Sequence, residues 1–168
     1  MLAKFDRFLR AACRIGTGAA FAVLIVAVLT QVAGRSIFND SPAWTEELTR
    51  FALLWLVAFG TGLSLQSGDL VNVDIVQESL PERLSFRLRM IAAAITAGFC
   101  ALLIWPAWFY TSIGVRQTSP VLTIRMDFIH ISVLVLLALL GVFALVRIAK
   151  MLTGQSDGRP DAMIDLEP

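Results

Sequence analysis

The chain has 168 residues, of which 57% are hydrophobic and 16% are charged, and its formal net charge is +1. This composition is too apolar for an ordinary soluble domain, and the near-neutral charge gives no support to a nucleic-acid-binding surface. We therefore expect a protein that is embedded in a membrane.

The first fourteen residues form two faces when they are placed on a helix, one apolar and one basic. The apolar face has Leu2, Phe5, Leu9 and Ala12, and the basic face has Lys4, Arg7, Arg10 and Arg14. This pattern is typical of an interfacial helix on anionic lipid. The alternative interpretation is that the basic residues are a simple topology signal, which sets the orientation of the first span.

Four windows without a charged residue follow, at 15–34, 51–68, 90–115 and 128–146. Each is long enough to cross a hydrocarbon core of about 30 Å as a helix. The first is longer than the hydrophobic region of a secretory signal and lacks a clear small-x-small cleavage site, so we expect it to be retained. The sequence therefore predicts an all-α membrane protein with four transmembrane helices within residues 1–152.

The segments outside these windows predict the remaining organisation. The second loop alternates Val71, Val73 and Ile75 with polar residues, which is weak support for a strand and equal support for a short interfacial amphipathic segment. Residues 153–168 are acidic and contain prolines, which is typical of a flexible tail. If both termini are cytoplasmic, ten of the fourteen Lys and Arg residues lie on the inner side, and the positive-inside rule favours this orientation.

The segment RSIFNDSPAWTEELTR, at 35–50, places Trp and charged side chains next to the second window. Trp44 is suited to anchoring at the membrane boundary. Glu46 and Glu47 precede Arg50 by four and three residues, so a pair within one helix can neutralise part of the charge. Two interpretations stay open: the cluster satisfies only its own helix, or it contacts another subunit.

Residues that would support catalysis or ion transport are scarce. No acid lies within any of the four windows, and His130 alone cannot form a bis-His haem site or a multi-His metal site. Cys13 and Cys100 have no CxxC spacing and are expected to be packing residues. We therefore expect no enzyme, no cofactor and no metal. A small autonomous exporter and a tetraspan membrane redox protein are the alternatives.

Several short motifs occur together in one order. They are R-x-x-F-N at 35–39, W-T-E-E-L at 44–48, L-V-A-F-G at 56–60, V-x-V-D at 71–74, L-P at 80–81 and S-P-V-L-x-I at 119–124. The series resembles the small membrane subunit (Q subunit, DctQ type) of tripartite ATP-independent periplasmic (TRAP) transporters. One departure is Ser132, which lies where relatives commonly have a proline at the start of the fourth helix.

The resemblance implies a subunit in the inner membrane of a bacterial or archaeal cell. It implies a large TRAP membrane subunit (M type) as partner and a periplasmic substrate-binding protein (P type) that docks on the complex. The small permease subunit would serve as a scaffold in sodium-coupled uptake of an organic acid such as a dicarboxylate or sugar acid. Candidates for subunit contact or for anchoring among lipids are Arg35, Trp44, Glu46, Glu47, Arg50 and Asp74.

Overall fold

A computed structural model describes residues 2–40, 42–67 and 81–154. Its regular structure in these ranges consists of four α-helices: α1 (Leu2–Ile37), α2 (Ala43–Ser67), α3 (Glu82–Gly114) and α4 (Asp127–Leu152). All four are long and apolar enough to cross a membrane. The predicted fold class, an all-α membrane protein with four transmembrane helices, is confirmed.

The basic segment at the start of the chain is continuous with the first apolar window. α1 has 36 residues, so it is about 54 Å long and exceeds a hydrocarbon core of about 30 Å. Residues 2–14 are therefore the first turns of α1, not a separate helix. The second predicted amphipathic segment lies at residues 68–80, outside the described residues, as does the tail from residue 155.

The helices pack in the order α1, α2, α4, α3, so that α2 and α4 are central. Residues 38–42 connect α1 to α2, and residues 115–126, the α3–α4 loop, connect α3 to α4. Short connections make consecutive helices antiparallel neighbours. The first turns of α1 and the last turns of α4 consequently lie at one end of the bundle, where Lys150 Nζ donates to Asp6 Oδ2 at 2.6 Å.

Small residues permit close contact where the central helices meet their neighbours. A Cβ atom on Gly62 of α2 would lie 2.5 Å from the ring of Phe143 of α4, which is fully buried. A Cβ atom on Gly16 of α1 would lie 2.7 Å from the ring of Phe59 of α2. Lipid provides no hydrophobic drive between helices, so close packing at these positions contributes to the association of the helices.

Cys100 is a packing residue, as predicted. It lies in a buried cluster with Ala107 and Leu137, and a Cβ atom on Gly141 would be 3.3 Å from the Cys100 Cβ. Cys13 is also buried and unbonded to sulfur. The thiols therefore contribute volume at helix contacts.

The turn after α1 sets the position of the segment at 35–50. Asn39 has φ of 52°, a left-handed conformation that Asn adopts more readily than most residues and that ends the helix. The Gly34 carbonyl accepts hydrogen bonds from the N–H groups of Phe38 at 3.0 Å and Asp40 at 3.3 Å. A Cβ atom on Gly34 would lie 2.8 Å from the Asp40 carbonyl oxygen, so this tight turn requires glycine.

Candidate functional site

Glu47 connects the start of α2 to the α3–α4 loop. Its Oε2 atom accepts a hydrogen bond of 2.7 Å from the backbone N–H of Leu122, and the contact is partly buried. A hydrogen bond to a carboxylate is stronger than one between neutral groups. One end of the bundle is therefore held by a polar contact between two segments that are 75 residues apart in the chain.

The α3–α4 loop is folded so that the Leu122 N–H is available to Glu47. The Ser119 N–H donates to the Ile124 carbonyl at 2.8 Å, and the Ser119 hydroxyl accepts from the Ile124 N–H at 3.3 Å. Between them Thr123 has φ of 55°, which is rare for a β-branched residue and marks a sharp reversal of the chain. The reversal places Leu122 at the tip of the loop.

At the base of this loop, the end of α3 packs against the start of α4. The His130 ring is buried and stacks on the Tyr110 ring with centroids 3.9 Å apart. His130 Nδ1 lies 3.2 Å from the Tyr110 carbonyl oxygen, which can only accept, so Nδ1 is the donor. A Cβ atom on Gly114 would be 2.7 Å from the same nitrogen. His130 is thus enclosed by protein at this helix contact.

The remaining predicted residues at this end are exposed. Arg50 donates to Glu46 on the same helix face, and both side chains are largely exposed to solvent. Trp44 is 41% exposed, and Arg35 is exposed at the last turn of α1. We call the exposed side chains of Arg35, Trp44, Glu46 and Arg50 at this end of the bundle the Trp44 surface; because Trp44 and Glu46 are about 200° apart around α2, this surface includes both sides of the helix. Asp74, the other predicted residue, lies outside the described residues.

This arrangement separates the two adjacent glutamates. Glu46 pairs within its own helix, whereas Glu47 contacts a distant loop of the same chain. Across residues 2–40, 42–67 and 81–154, no group of three or more His, Cys, Asp and Glu side chains is placed to hold a metal ion. The chemistry available here is that of a structural contact and an exposed polar and aromatic surface.

Comparison with known proteins agrees with this architecture. Residues 24–154 match the family model for the DctQ component of tripartite ATP-independent periplasmic transporters. The chain belongs to this DctQ family. A Haemophilus influenzae protein named as a TRAP transporter small permease is 24% identical over 121 residues, which cover 72% of this chain and 75% of that protein. The sialic acid TRAP transporter small permease protein SiaQ of Vibrio cholerae is 33% identical over 78 residues, 44% of this chain and 45% of SiaQ.

Membership confirms the resemblance predicted from the motifs. The protein is a small permease subunit of a TRAP transporter and a multi-pass protein of the inner membrane. In this DctQ-type subunit, the W-T-E-E-L and S-P-V-L-T-I motifs are in contact through Glu47 and Leu122. Part of the motif series is therefore explained by packing within the subunit.

Asp6 is a structural residue of this DctQ-type subunit that the sequence analysis missed. Its side chain is only 1% exposed and accepts from both Arg10 of α1 and Lys150 of α4. A buried carboxylate is tolerated when charged donors surround it. The available signal was that Asp6 is the one acid among the first fourteen residues, four positions before Arg10.

Proposed function

We propose that this subunit is a static scaffold for the large TRAP membrane subunit, which moves the substrate. The observation that carries the proposal is the presence of one polar contact at each end of the bundle. Glu47 holds the α3–α4 loop at one end, and Asp6 connects α1 to α4 at the other. A bundle fastened at both ends is suited to remain fixed while a partner moves against it.

The four charge-free windows also support a static role for this subunit and a transporting role for the large subunit. A subunit that moved sodium or protons would need charged groups within its spans, but the apolar windows contain no Asp, Glu, Lys or Arg, and their one histidine, His130, is enclosed by α3 and α4. Coupling to sodium then belongs to the large subunit. Because SiaQ is named for sialic acid, we propose an organic acid as the transported substrate.

The orientation of the subunit in the membrane determines which partner can contact the Trp44 surface. Within the described residues, nine Lys and Arg side chains lie toward the end that contains Asp6 and four toward the opposite end, so we propose that the Asp6 end is cytoplasmic and that the opposite end faces the periplasm. The Trp44 surface then lies at the periplasmic boundary of the membrane. We assign it to contact with the large subunit, on which the periplasmic binding protein docks.

Co-purification tests this assignment. The large subunit is tagged, coexpressed with the full chain, and purified from detergent-solubilised membranes. Trp44→Ala should reduce the amount of small subunit recovered per large subunit by at least severalfold, since buried aromatic side chains are frequent energetic centres of interfaces. Phe5→Ala is the matched control, because it removes a comparably exposed aromatic ring at the opposite end. Equal recovery of both variants would contradict the assignment.

A further inference from the structure

A basic cleft lies between the first turns of α1 and the last turns of α4. Its volume is about 450 Å³, which is within the range of roughly 300–1,000 Å³ for small-molecule sites. Its lining consists of four basic residues, one acid and one alanine, namely Arg7, Arg10, Arg14, Lys150, Asp6 and Ala11. The cleft is open on one side and carries an excess of positive charge.

The acid in the cleft does not neutralise all of these cations. The Asp6 carboxylate accepts from Arg10 and Lys150. Within the described part of the chain, neither Arg7 nor Arg14 has an acidic partner, and both are exposed. Guanidinium groups bind phosphate oxygens with two parallel N–H donors, and a lysine adds a point charge. The cations that Asp6 does not neutralise are therefore suited to bind a phosphate group.

The position of the cleft favours a lipid phosphate over a soluble one. Arg14 immediately precedes the first charge-free window, so the cleft lies where α1 enters the apolar part of the membrane. Phe8 and Ile15 are seven residues apart, hence on one helix face, and each is 73% exposed beside the basic turns. A phospholipid would place its phosphate among the cations and its acyl chains along this apolar face.

We propose that the cleft binds the phosphate of an anionic phospholipid and that the bound lipid joins α1 to α4 together with Asp6. Basic pockets between transmembrane helices recognise such headgroups in this way. The site is independent of the Trp44 surface, which lies at the other end of the bundle, so it does not depend on the proposed contact with the large subunit.

Native mass spectrometry of the full chain in a neutral detergent, titrated with phosphatidylglycerol or phosphatidylcholine, tests the proposal. Arg7→Gln combined with Arg14→Gln should weaken phosphatidylglycerol binding about 25-fold, which is roughly fivefold for each cation removed. Arg116→Gln combined with Arg125→Gln removes the same net charge from exposed positions at the other end and should leave binding unchanged. Phosphatidylcholine should bind more weakly than phosphatidylglycerol to the unaltered chain.

Other outcomes would overturn the proposal. Equal weakening in both double variants would indicate a response to net charge alone, and unchanged binding in the Arg7 and Arg14 variant would exclude the cleft. Displacement of the lipid by inorganic phosphate at the same concentration would assign the site to a free anion. If the glutamine variant aggregates, Arg7→Lys combined with Arg14→Lys keeps the charge but not the parallel N–H donors, so it should bind phosphatidylglycerol more weakly than the unaltered chain does but more tightly than it binds phosphatidylcholine. Loss of binding in that folded variant would also contradict the assignment.

Discussion

Replacing Glu47 with alanine removes the acceptor of the Leu122 N–H and should release the tip of the α3–α4 loop. A hydrogen bond to a charged group contributes about 1.5–3 kcal/mol, and we take about 2 kcal/mol for this partly buried contact. Since about 1.4 kcal/mol is a factor of ten, the Leu122 amide should exchange its hydrogen about thirtyfold faster if local opening controls exchange. Glu47→Gln keeps a neutral acceptor worth about 1 kcal/mol and should be intermediate.

Hydrogen exchange followed by mass spectrometry with residue-level fragmentation measures this change in the purified full chain. Glu46→Ala is the matched control, since the Glu46 and Arg50 side chains are 60% and 71% exposed and such pairs contribute about 0.5 kcal/mol or less. It should change exchange at Leu122 by no more than about twofold. Equal acceleration by both alanine variants, or none by Glu47→Ala, would refute the role assigned to Glu47.

Two further changes test how the bundle is held together. Gly62→Ala should destabilise the protein by about 1–3 kcal/mol because the added methyl group meets the buried Phe143 ring, whereas Gly60→Ala has open space and should leave the melting temperature in detergent unchanged or higher. Equal melting temperatures for the two variants would contradict this packing. Asp6→Ala should reduce stability by about 2 kcal/mol because it removes the acceptor that Arg10 and Lys150 share, and an unaltered thermal unfolding curve would argue against that contact.

The four helices could be predicted because each requires a long run without charge, and such runs are visible in the sequence alone. The pair formed by Glu46 and Arg50 was equally accessible, since helical periodicity places residues four apart on one face. The bounds of the first helix were harder to predict from the sequence. The basic residues at 1–14 left two interpretations open, an interfacial helix and a simple topology signal, and the structure continues α1 through residues 2–14.

The partner of Glu47 could not be predicted, because Leu122 is 75 residues away and contributes a backbone N–H that has no sequence signature. The contact also depends on the left-handed conformation of Thr123, a residue type that does not favour it. The contact of Asp6 could not be predicted for a related reason. Its partner Lys150 is at the far end of the chain, and only the antiparallel arrangement of α1 and α4 brings the two together.

The subunit-contact role assigned to Arg35, Trp44, Glu46 and Arg50 stays a prediction, because it concerns a partner chain. The structure shows that these four side chains are exposed and lie at one end of the bundle. It also narrows the choice between the two glutamates, since Glu47 already has a contact within the subunit. Contact with the large subunit is therefore better sought at Trp44, Glu46 and Arg50.

The scaffold role is tested most directly by sodium-driven uptake into proteoliposomes. The vesicles contain the large subunit with or without this chain, and the cognate binding protein supplies its organic acid. We expect uptake only when both membrane subunits are present, and none when this chain is reconstituted without the large subunit. Full uptake by the large subunit alone, or transport by this chain alone, would contradict the scaffold role.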